Sequence, residues 1–177
     1  LILSVPIGIA IGLSVAVGIV FGGILPSAFL IQKMFTSLDV FPLMAVPFFV
    51  MAGEIMQKGS MAQRLLEVSR ALVGHITGGM AHISVLTSLF SGALSGSSPA
   101  TVDAVGGIMV PYMVKEGYSR SFATADNTSA GSLGVIIPPS VPLIIYGTTA
   151  GASVGDLFIA GVVPGLVIGI FLMACSY

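Results

Sequence analysis

The sequence predicts an all-α integral membrane protein, and three observations lead to that fold class. The chain of 177 residues is 55% hydrophobic and only 7% charged, with a mean hydropathy of +1.09, whereas soluble domains carry about 25% charged residues. Its apolar runs are long and continuous, which favours helices over the short alternating segments of a transmembrane β-barrel. Two polar stretches rich in glycine, serine or proline interrupt these runs, which indicates broken helices within the membrane.

The composition also argues against several classes of function. A net charge of −1 gives no sign of nucleic-acid binding. The single cysteine, Cys175, cannot form an intrachain disulfide, and two scattered histidines argue against a structural zinc site. The chain has no initiator methionine and both its ends lie in apolar runs, so we expect a piece of a longer protein.

Residues 1–57 are predicted to form two scaffold transmembrane helices. The apolar run 1–25 is long enough to cross the ~30 Å hydrocarbon core, which takes roughly 20 helical residues. Residues 26–40 predict a loop with a short amphipathic turn, and residues 40–57 predict a second span that its prolines kink. Glu54, near the end of this span, is expected at the membrane interface, with a buried functional role as the alternative.

Residues 58–81 are predicted to form an amphipathic arm helix and a connection. Polar and charged side chains occupy most of one face of the arm. The apolar positions share the other face: Met61, Leu65, Val68 and Leu72. Such a helix lies along the membrane surface, as a connecting helix or as a scaffold arm around a moving part.

Residues 82–114 predict a re-entrant helical hairpin. The apolar helix 82–94 would be about 20 Å long at 1.5 Å per residue, which is too short to cross a core of ~30 Å. A single helix through residues 82–114 would be broken at its middle by the sequence SGSSP, residues 95–99. We therefore expect the two halves to fold back on each other, with SGSSP at the tip near the membrane midplane.

Residues 115–158 predict an interrupted transmembrane helix followed by a periplasmic loop. The span covers residues 120–146, and two glycines and three prolines within residues 131–142 destabilise regular helix at its centre. The polar sequence GTTAGASVGDLF, residues 147–158, predicts the loop, and residues 159–177 predict a last, truncated transmembrane helix.

The basic residues predict the orientation of the chain in the membrane. A hairpin returns to the side from which it starts, so the arm and the turn after the hairpin share one side of the membrane. Positive charge marks the cytoplasmic side, and five basic residues lie there against one on the opposite side: Lys58, Arg64, Arg70, Lys115 and Arg120 against Lys33. The arm and the hairpin base are therefore expected in the cytoplasm.

The two interruptions point to a binding site. Non-helical backbone at membrane depth must be buried in protein or line a wet cavity. Carbonyl and hydroxyl oxygens suit hard cations such as Na⁺, and helix N-termini suit anionic groups. Two simpler interpretations stay open: the tip is a turn without a ligand, and the prolines are a kink that only aids packing.

Two other functional classes fit the pattern less well. An intramembrane serine protease would use the serine of ALSGS with His82 as its base, but thirteen helical residues separate them by about 20 Å, beyond hydrogen-bond reach. An ion channel with a re-entrant filter would need oligomeric symmetry around the hairpin. Saturable solute flux that follows the Na⁺ gradient would distinguish a transporter from a channel.

The chain resembles DctM, the large membrane subunit of the tripartite ATP-independent periplasmic (TRAP) transporters. The most specific resemblance lies in the hairpin tip, SGALSGSSPATVDAVGGIMVPYMVKEGY, and in GSLGVIIPPSVPLIIYG of the interrupted helix. Three further stretches are similar to the same family: DVFPLMAVPFFVMAGEIM, RALVGHITGGMAHISV and GDLFIAGVVPGL.

The resemblance implies a Na⁺-coupled secondary transporter of the bacterial inner membrane, not an enzyme, with an elevator-type moving domain in the lipid bilayer. It also implies two partners, a small four-helix membrane subunit and a periplasmic solute-binding protein. The substrates would be organic acids such as C4-dicarboxylates or sialic acid. Because the family's large subunit contains two inverted repeats, the chain would be roughly its N-terminal half and hold the first repeat.

The resemblance also implies a set of site residues. Na⁺ would be bound by oxygens at the hairpin tip and by carbonyls of the interrupted helix: Ser95, Ser98, Gly134, Ile137 and Pro138. The solute would lie near the tip and near a polar stretch of the interrupted helix: Gly96, Ser97, Pro99, Asn127, Thr128 and Ser129.

Two aspartates need separate interpretations. Asp103 departs from the family pattern, in which a small neutral residue is expected, and it would either bind the cation or interact with the dipole of the helix that begins at Pro99. Asp126 is expected nearer the cytoplasmic end, at the interface or paired with Arg120. His75 and His82 are expected to mark the membrane interface.

Overall fold

The computed structural model describes residues 6–22 and 26–177, and within those ranges it is helical and contains no strand. The chain divides into two compact units, Leu1–Phe41 and Pro42–Tyr177. The first holds α1 (Ile7–Gly22) and α2 (Ser27–Leu38). The second holds the other helices, of which α3 starts at the boundary: α3 (Phe41–Lys58), α4 (Met61–Val73), α5 (Gly79–Ser95), α6 (Ser98–Lys115), α7 (Arg120–Gly131), a 3₁₀ turn (Ser132–Val135), α8 (Val141–Ala150) and α9 (Val154–Cys175).

The first unit differs from the sequence prediction in one respect. The apolar run is helical over Ile7–Gly22, and the predicted ends of this span, residues 1–5 and 23–25, lie outside the described residues. The predicted loop over residues 26–40 is wrong, because α2 is a helix of 12 residues. No glycine or proline follows Pro26 until the helix ends, and the hydroxyl of Thr36 donates to the carbonyl of Gln32, one turn back.

The arm helix α4 packs with its small residues and leaves most of its apolar face exposed. Ala62 and Ser69 are buried, whereas Val68 and Leu72 are about half exposed. At its far end, the Arg70 guanidinium lies 5.1 Å from the centroid of the Tyr112 ring on α6, and it also donates to the Tyr112 hydroxyl. The arm is therefore bound to the hairpin, and its apolar face is free to contact lipid.

Helices α5 and α6 form an antiparallel hairpin. Ala81 and Ile83 at the start of α5 share a buried cluster with Met109 and Met113 near the end of α6, so the second helix returns to where the first begins. At 1.5 Å per residue the two helices are about 25 and 27 Å long. Ala123 of α7 completes this cluster, which places α7 beside both arms of the hairpin.

The helix after the hairpin is interrupted where the sequence predicts it. Regular α-helix ends at Gly131, a 3₁₀ turn follows, and α-helix resumes at Val141. A second buried cluster contains Val85 of α5, Ala130 of α7 and the neighbours Leu133 and Ile137, with Ile168 and Leu172 of α9 against it. The interruption therefore lies between the hairpin and α9.

The predicted loop over residues 147–158 is much shorter in the structure, because α8 continues to Ala150 and α9 begins at Val154. The hydroxyls of Thr148 and Thr149 donate to the carbonyl of Ile145, so these polar residues fit within a helix. Ser153 then caps α9 by accepting a hydrogen bond from the backbone N–H of Asp156. By length and composition α9 could cross a membrane.

Candidate functional site

The tip of the hairpin is a two-residue turn. Helix α5 ends at Ser95, and Gly96 adopts a left-handed conformation with φ of 61° while its N–H donates to the carbonyl of Gly92 at 2.8 Å. Ser97 is extended, and α6 begins at Ser98 with Pro99 in its first turn. The positive φ explains the glycine, because a Cβ would be strained there.

Three oxygen atoms converge at this turn. The Ser95 hydroxyl lies 3.0 Å from the Thr101 hydroxyl, and Thr101 donates to the carbonyl of Ser97 at 2.9 Å. The Ser97 backbone N–H donates to the Ser95 oxygen at 3.3 Å. Ser95 is 3% exposed and Thr101 is fully buried, so these oxygens lie inside the protein.

The interrupted segment contacts the tip directly through its backbone. The N–H of Val141 donates to the carbonyl of Gly96 at 3.3 Å. A Cβ added at Gly96 would lie 2.5 Å from the Pro139 carbonyl oxygen, and one added at Gly92 would lie 2.6 Å from the Gly134 Cα. No side chain fits between the two backbones at these points.

Gly134 faces the same oxygens. A Cβ added there would lie 2.7 Å from the Thr101 hydroxyl and 2.8 Å from the Ser97 carbonyl oxygen. Ser140, which is fully buried, donates to the carbonyl of Val135 at 2.6 Å and so supports the irregular backbone of this segment. The two interruptions, about 40 residues apart in the chain, thus form one structure.

The structure brings together four of the residues that the sequence suggests: Ser95, Gly96, Ser97 and Gly134. Ile137 belongs to the buried cluster beside α9, and Pro138 approaches Gly161 of that helix. Sequence reasoning missed Thr101, one helical turn after Ser97, and it missed Pro139, whose carbonyl approaches the tip. The spacing of four residues between Ser97 and a hydroxyl residue is the signal that could have indicated Thr101.

A shallow groove of about 630 Å³ runs along the outside of α6 and α7. It is lined by Ser98, Pro99, Val102, Asp103, Gly106, Gly107, Val110, Arg120, Thr124 and Asn127. Asn127 is 3% exposed and donates from Nδ2 to the Val102 carbonyl at 3.0 Å. Its Oδ1 has no hydrogen-bond partner among the described residues.

The three polar residues of α7 do not share one surface. Asn127 lies on the buried face, whereas Thr128 and Ser129 are exposed. The Thr128 hydroxyl donates to the Thr124 carbonyl of its own helix. Asp103 is exposed in the groove beyond the first turn of α6.

Helix α3 also reaches the tip. A Cβ added at Gly53 would lie 3.2 Å from the Ser95 Cα. The neighbouring Glu54 lines a small cavity of about 70 Å³ together with Ser95, Ser97 and Ala100. Glu54 is thus adjacent to the oxygen cluster, a position that sequence reasoning did not predict.

One prediction for the base of the hairpin is wrong, the pairing of Asp126 with Arg120. His82 and Asp126 are buried within the protein, at 5% and 9% exposure, and their position at the membrane interface stays a prediction. Asp126 accepts a hydrogen bond from the Ser176 hydroxyl at 3.2 Å instead of pairing with Arg120. Residues six apart on a helix are not neighbours, and packing turns the Asp126 face of α7 inward.

The sequence of the chain matches a known protein family and several described relatives. The profile of the family described as "Tripartite ATP-independent periplasmic transporter, DctM component" matches residues 1–177. The isethionate TRAP transporter permease protein DctMQ of Oleidesulfovibrio alaskensis is 47% identical over 100% of this chain and 28% of its own length. The C4-dicarboxylate TRAP transporter large permease protein DctM of Pseudomonas aeruginosa is 47% identical over 82% of this chain and 34% of its own length.

A third relative, the ectoine TRAP transporter large permease protein TeaC of Halomonas elongata, is 41% identical over 95% of this chain and 40% of its own length. The chain therefore spans between about a quarter and two fifths of these relatives. From the full-length family match and these identities, the chain belongs to the DctM family of TRAP transporter permeases.

Proposed function

We propose that the chain forms the Na⁺-binding part of a large TRAP permease that imports organic acids. The observation that carries the proposal is the convergence of the Ser95 and Thr101 hydroxyls and the Ser97 carbonyl on the backbone of Gly134. Hydroxyl and carbonyl oxygens are hard ligands, which suit alkali cations and hold no strong charge of their own.

The residues at the tip fit a Na⁺ ion. Three oxygens already lie on one side, and Gly134 leaves the space on the other side that a Cβ would fill. When Na⁺ binds, its contacts with these oxygens would replace the hydrogen bonds that the oxygens make with one another. Backbone carbonyls of the interrupted segment, with Pro139 the one that approaches Gly96, would complete the shell, and Ser98, Ile137 and Pro138 stay candidates from the family resemblance.

Asp103 is assigned to the groove and not to the ion. Thr101, whose hydroxyl faces Ser95, lies two residues before Asp103, and residues two apart on a helix point to nearly opposite sides. Asp103 also lies beyond the first turn of α6, where a carboxylate has little interaction with the helix dipole. We propose that it borders the path of the solute.

The hairpin is proposed to be re-entrant. Its helices, about 25 and 27 Å long, are shorter than the ~30 Å core, and their outer ends meet in one cluster. Backbone contacts join the tip to the interrupted segment, so both would move as one body in an elevator-type cycle. The chain would then be a multi-pass part of the bacterial inner membrane and would hold the first of two inverted repeats.

An organic acid is the proposed class of solute. The N-termini of α6 and α8 both begin at the interruptions and present positive dipole ends there. Arg120 adds a cation to the groove on α6 and α7. The names of the relatives give isethionate, C4-dicarboxylates and ectoine as their solutes. We therefore propose that selectivity for one acid depends on parts of the protein outside this chain. A small membrane subunit and a periplasmic binding protein are the proposed partners.

The test uses the full-length permease with its two partners in proteoliposomes. Thr101→Val keeps the side-chain shape and removes the hydroxyl, so we expect the Na⁺ concentration for half-maximal uptake to rise about tenfold or more, equivalent to ~1.4 kcal/mol or more of ion binding. The matched control is Thr149→Val, whose hydroxyl only donates to the Ile145 carbonyl on the exposed side of α8. Unchanged Na⁺ dependence in Thr101→Val contradicts the site, and flux that does not saturate with solute indicates a channel.

A further inference from the structure

A second polar cluster lies at the base of the hairpin, away from the tip. It is formed where α5, α7 and the end of α9 meet, and it contains His82 and Ser84 of α5, Asp126 of α7, and Ser176 just after α9. Asp126 is 9% exposed and Ser84 is fully buried. The function proposed for the tip does not use these residues.

The hydrogen bonds of this cluster are incomplete. The Ser176 hydroxyl lies 3.2 Å from Asp126 Oδ1 and 2.9 Å from the Leu172 carbonyl, so its one hydrogen is shared between two acceptors. Asp126 Oδ2 and the Ser84 hydroxyl are both buried, and neither has a hydrogen-bond partner among the described residues. Buried polar atoms in folded proteins almost always have partners, so this pair calls for an explanation.

Among the described residues, Asp126 is hydrogen-bonded by the Ser176 hydroxyl and not by a lysine or arginine. The titratable group that faces Asp126 from α5 is His82, whose Nδ1 lies 2.9 Å from the Gly78 carbonyl and therefore carries a hydrogen that it donates there. Beyond Ser176, Tyr177 packs edge-on against the His82 ring at 6.5 Å. The titratable residues of α6, Asp103, Tyr112 and Lys115, are not buried, and neither is Arg120 of α7.

Apolar packing closes the cluster to water. The adjoining buried group contains Ala81 and Ile83 of α5, Met109 of α6 and Ala123 of α7. A carboxylate in such surroundings is unfavourable as an unpaired charge, and it is stabilised when it becomes neutral. A metal ion would need several more oxygen ligands than the two unpartnered atoms supply, whereas one proton needs only a donor and an acceptor.

We propose that Asp126 binds an exchangeable proton in this closed site. The proton comes from water and adds to the carboxylate at Oδ2, which gives a neutral acid without breaking another bond. The Ser84 hydroxyl faces this carboxyl group from α5, and it can accept a hydrogen bond from the acid or donate one to the carboxylate. The neutral acid is the form that the closed arrangement accommodates, and a rise in pH removes it.

Infrared difference spectroscopy of the purified full-length permease tests this without transport. Between low and high pH the protein should show the carbonyl band of a buried carboxylic acid, converting into carboxylate bands. Asp126→Asn should lack this band, because the amide cannot ionise. The matched control is Asp156→Asn, which changes an exposed aspartate in the first turn of α9 and should keep the band.

The outcomes decide the proposal. The assignment is overturned if the carboxylic-acid band is missing from the wild type or if it still titrates in Asp126→Asn. It is also overturned if no acid band titrates and an imidazolium band appears that His82→Gln removes. If Asp126→Asn does not fold, Ser84→Ala supplies a second test: removal of the hydroxyl that faces the carboxyl group should shift the acid band and change the pH at which it disappears. An unmoved band and an unchanged midpoint contradict the Ser84 contact.

A transport arm extends the test, and this arm rests on the proposed function. Na⁺-driven uptake by the wild type in proteoliposomes should fall as the cytoplasmic-side pH rises, and Asp126→Asn should flatten that profile while it retains uptake. A profile that Asp126→Asn leaves unchanged contradicts a role for the proton in transport. If no variant takes up solute with Na⁺, the proposed function fails, and the infrared result still decides the proton site.

Discussion

The tip and the base of the hairpin both bury polar side chains of α5, but they satisfy them in different ways. At the tip, the hydroxyls of Ser95 and Thr101 bind each other and the Ser97 carbonyl. At the base, Ser84 and one oxygen of Asp126 lack hydrogen-bond partners among the described residues. The network at the tip can exchange its internal hydrogen bonds for contacts with an ion, whereas a buried carboxylate in apolar surroundings is stabilised by an added proton.

The backbone accounts for much of this difference. At the tip, glycines let two chain segments touch, so that main-chain carbonyls lie close to the hydroxyls. At the base, the hydrogen-bond partner of the Asp126 carboxyl group is a side chain, the Ser176 hydroxyl. The comparison therefore predicts that backbone changes damage the tip most and that protonation of Asp126 affects the base.

The largest effect is expected from Gly134→Ala. The new Cβ would lie 2.7 Å from the Thr101 hydroxyl and 2.8 Å from the Ser97 carbonyl oxygen. We expect about 1–3 kcal/mol of destabilisation from this overpacking, together with loss of Na⁺-driven uptake. Thermal unfolding and uptake by the full-length permease measure the two effects.

Gly155→Ala is the control for that substitution. Gly155 is exposed in the first turn of α9, and the nearest atom to its added Cβ is the Ser153 oxygen at 3.8 Å. It should leave both readings unchanged. Normal uptake by Gly134→Ala would mean that the interrupted segment does not contact the tip in the working protein.

The next largest effect is expected from Ser95→Ala. This change removes the partner of the Ser97 N–H and one of the two partners of the Thr101 hydroxyl, and a buried group left unsatisfied costs about 1–3 kcal/mol. The loss should be the same at low and high pH, because no titratable group takes part in these hydrogen bonds. Ser14→Ala, whose exposed hydroxyl donates to the Ile11 carbonyl, is the control. A pH-dependent loss in Ser95→Ala would remove the contrast between tip and base.

Ser84→Ala is expected to have a smaller effect, and one that depends on pH. At low pH, where Asp126 is proposed to be neutral, the change removes a hydrogen-bond acceptor and should cost about 1 kcal/mol. At high pH the Ser84 hydroxyl can donate to the carboxylate, and a hydrogen bond to a charged group contributes more, so the cost should be larger. The midpoint of thermal unfolding at the two pH values measures this difference, and an equal cost at both would argue against the shared proton.

The sequence was most informative where its residues break helices. The tip and the interruption follow from local chemistry, since Gly96 provides a positive φ and the prolines remove backbone donors. For the same reason the predicted break at residues 131–142 matches the observed end of α7 and start of α8. Polarity alone was less reliable: Thr148 and Thr149 look like loop residues but satisfy their hydroxyls within α8.

The remaining site residues depend on packing between distant segments. Asp126 was expected at the membrane interface or paired with Arg120, but the face of α7 that carries Ala123 and Ala130 packs inward and takes Asp126 with it. Glu54 reaches the tip because Gly53 lets α3 approach Ser95 closely. Neither contact has a local signal, since each joins residues about 40 or more positions apart.

The smallest effect is expected from Thr128→Val, which compares the exposed face of α7 with its buried face. Thr128 is exposed and its hydroxyl donates to the carbonyl of Thr124, so the change should alter stability by no more than about 0.5 kcal/mol. Asn127→Ala on the buried face should instead raise the KM for solute, because it removes a side chain that lines the groove and its hydrogen bond to the Val102 carbonyl. Uptake at several solute concentrations measures both variants. A larger rise in KM for Thr128→Val than for Asn127→Ala would place the solute on the other side of α7.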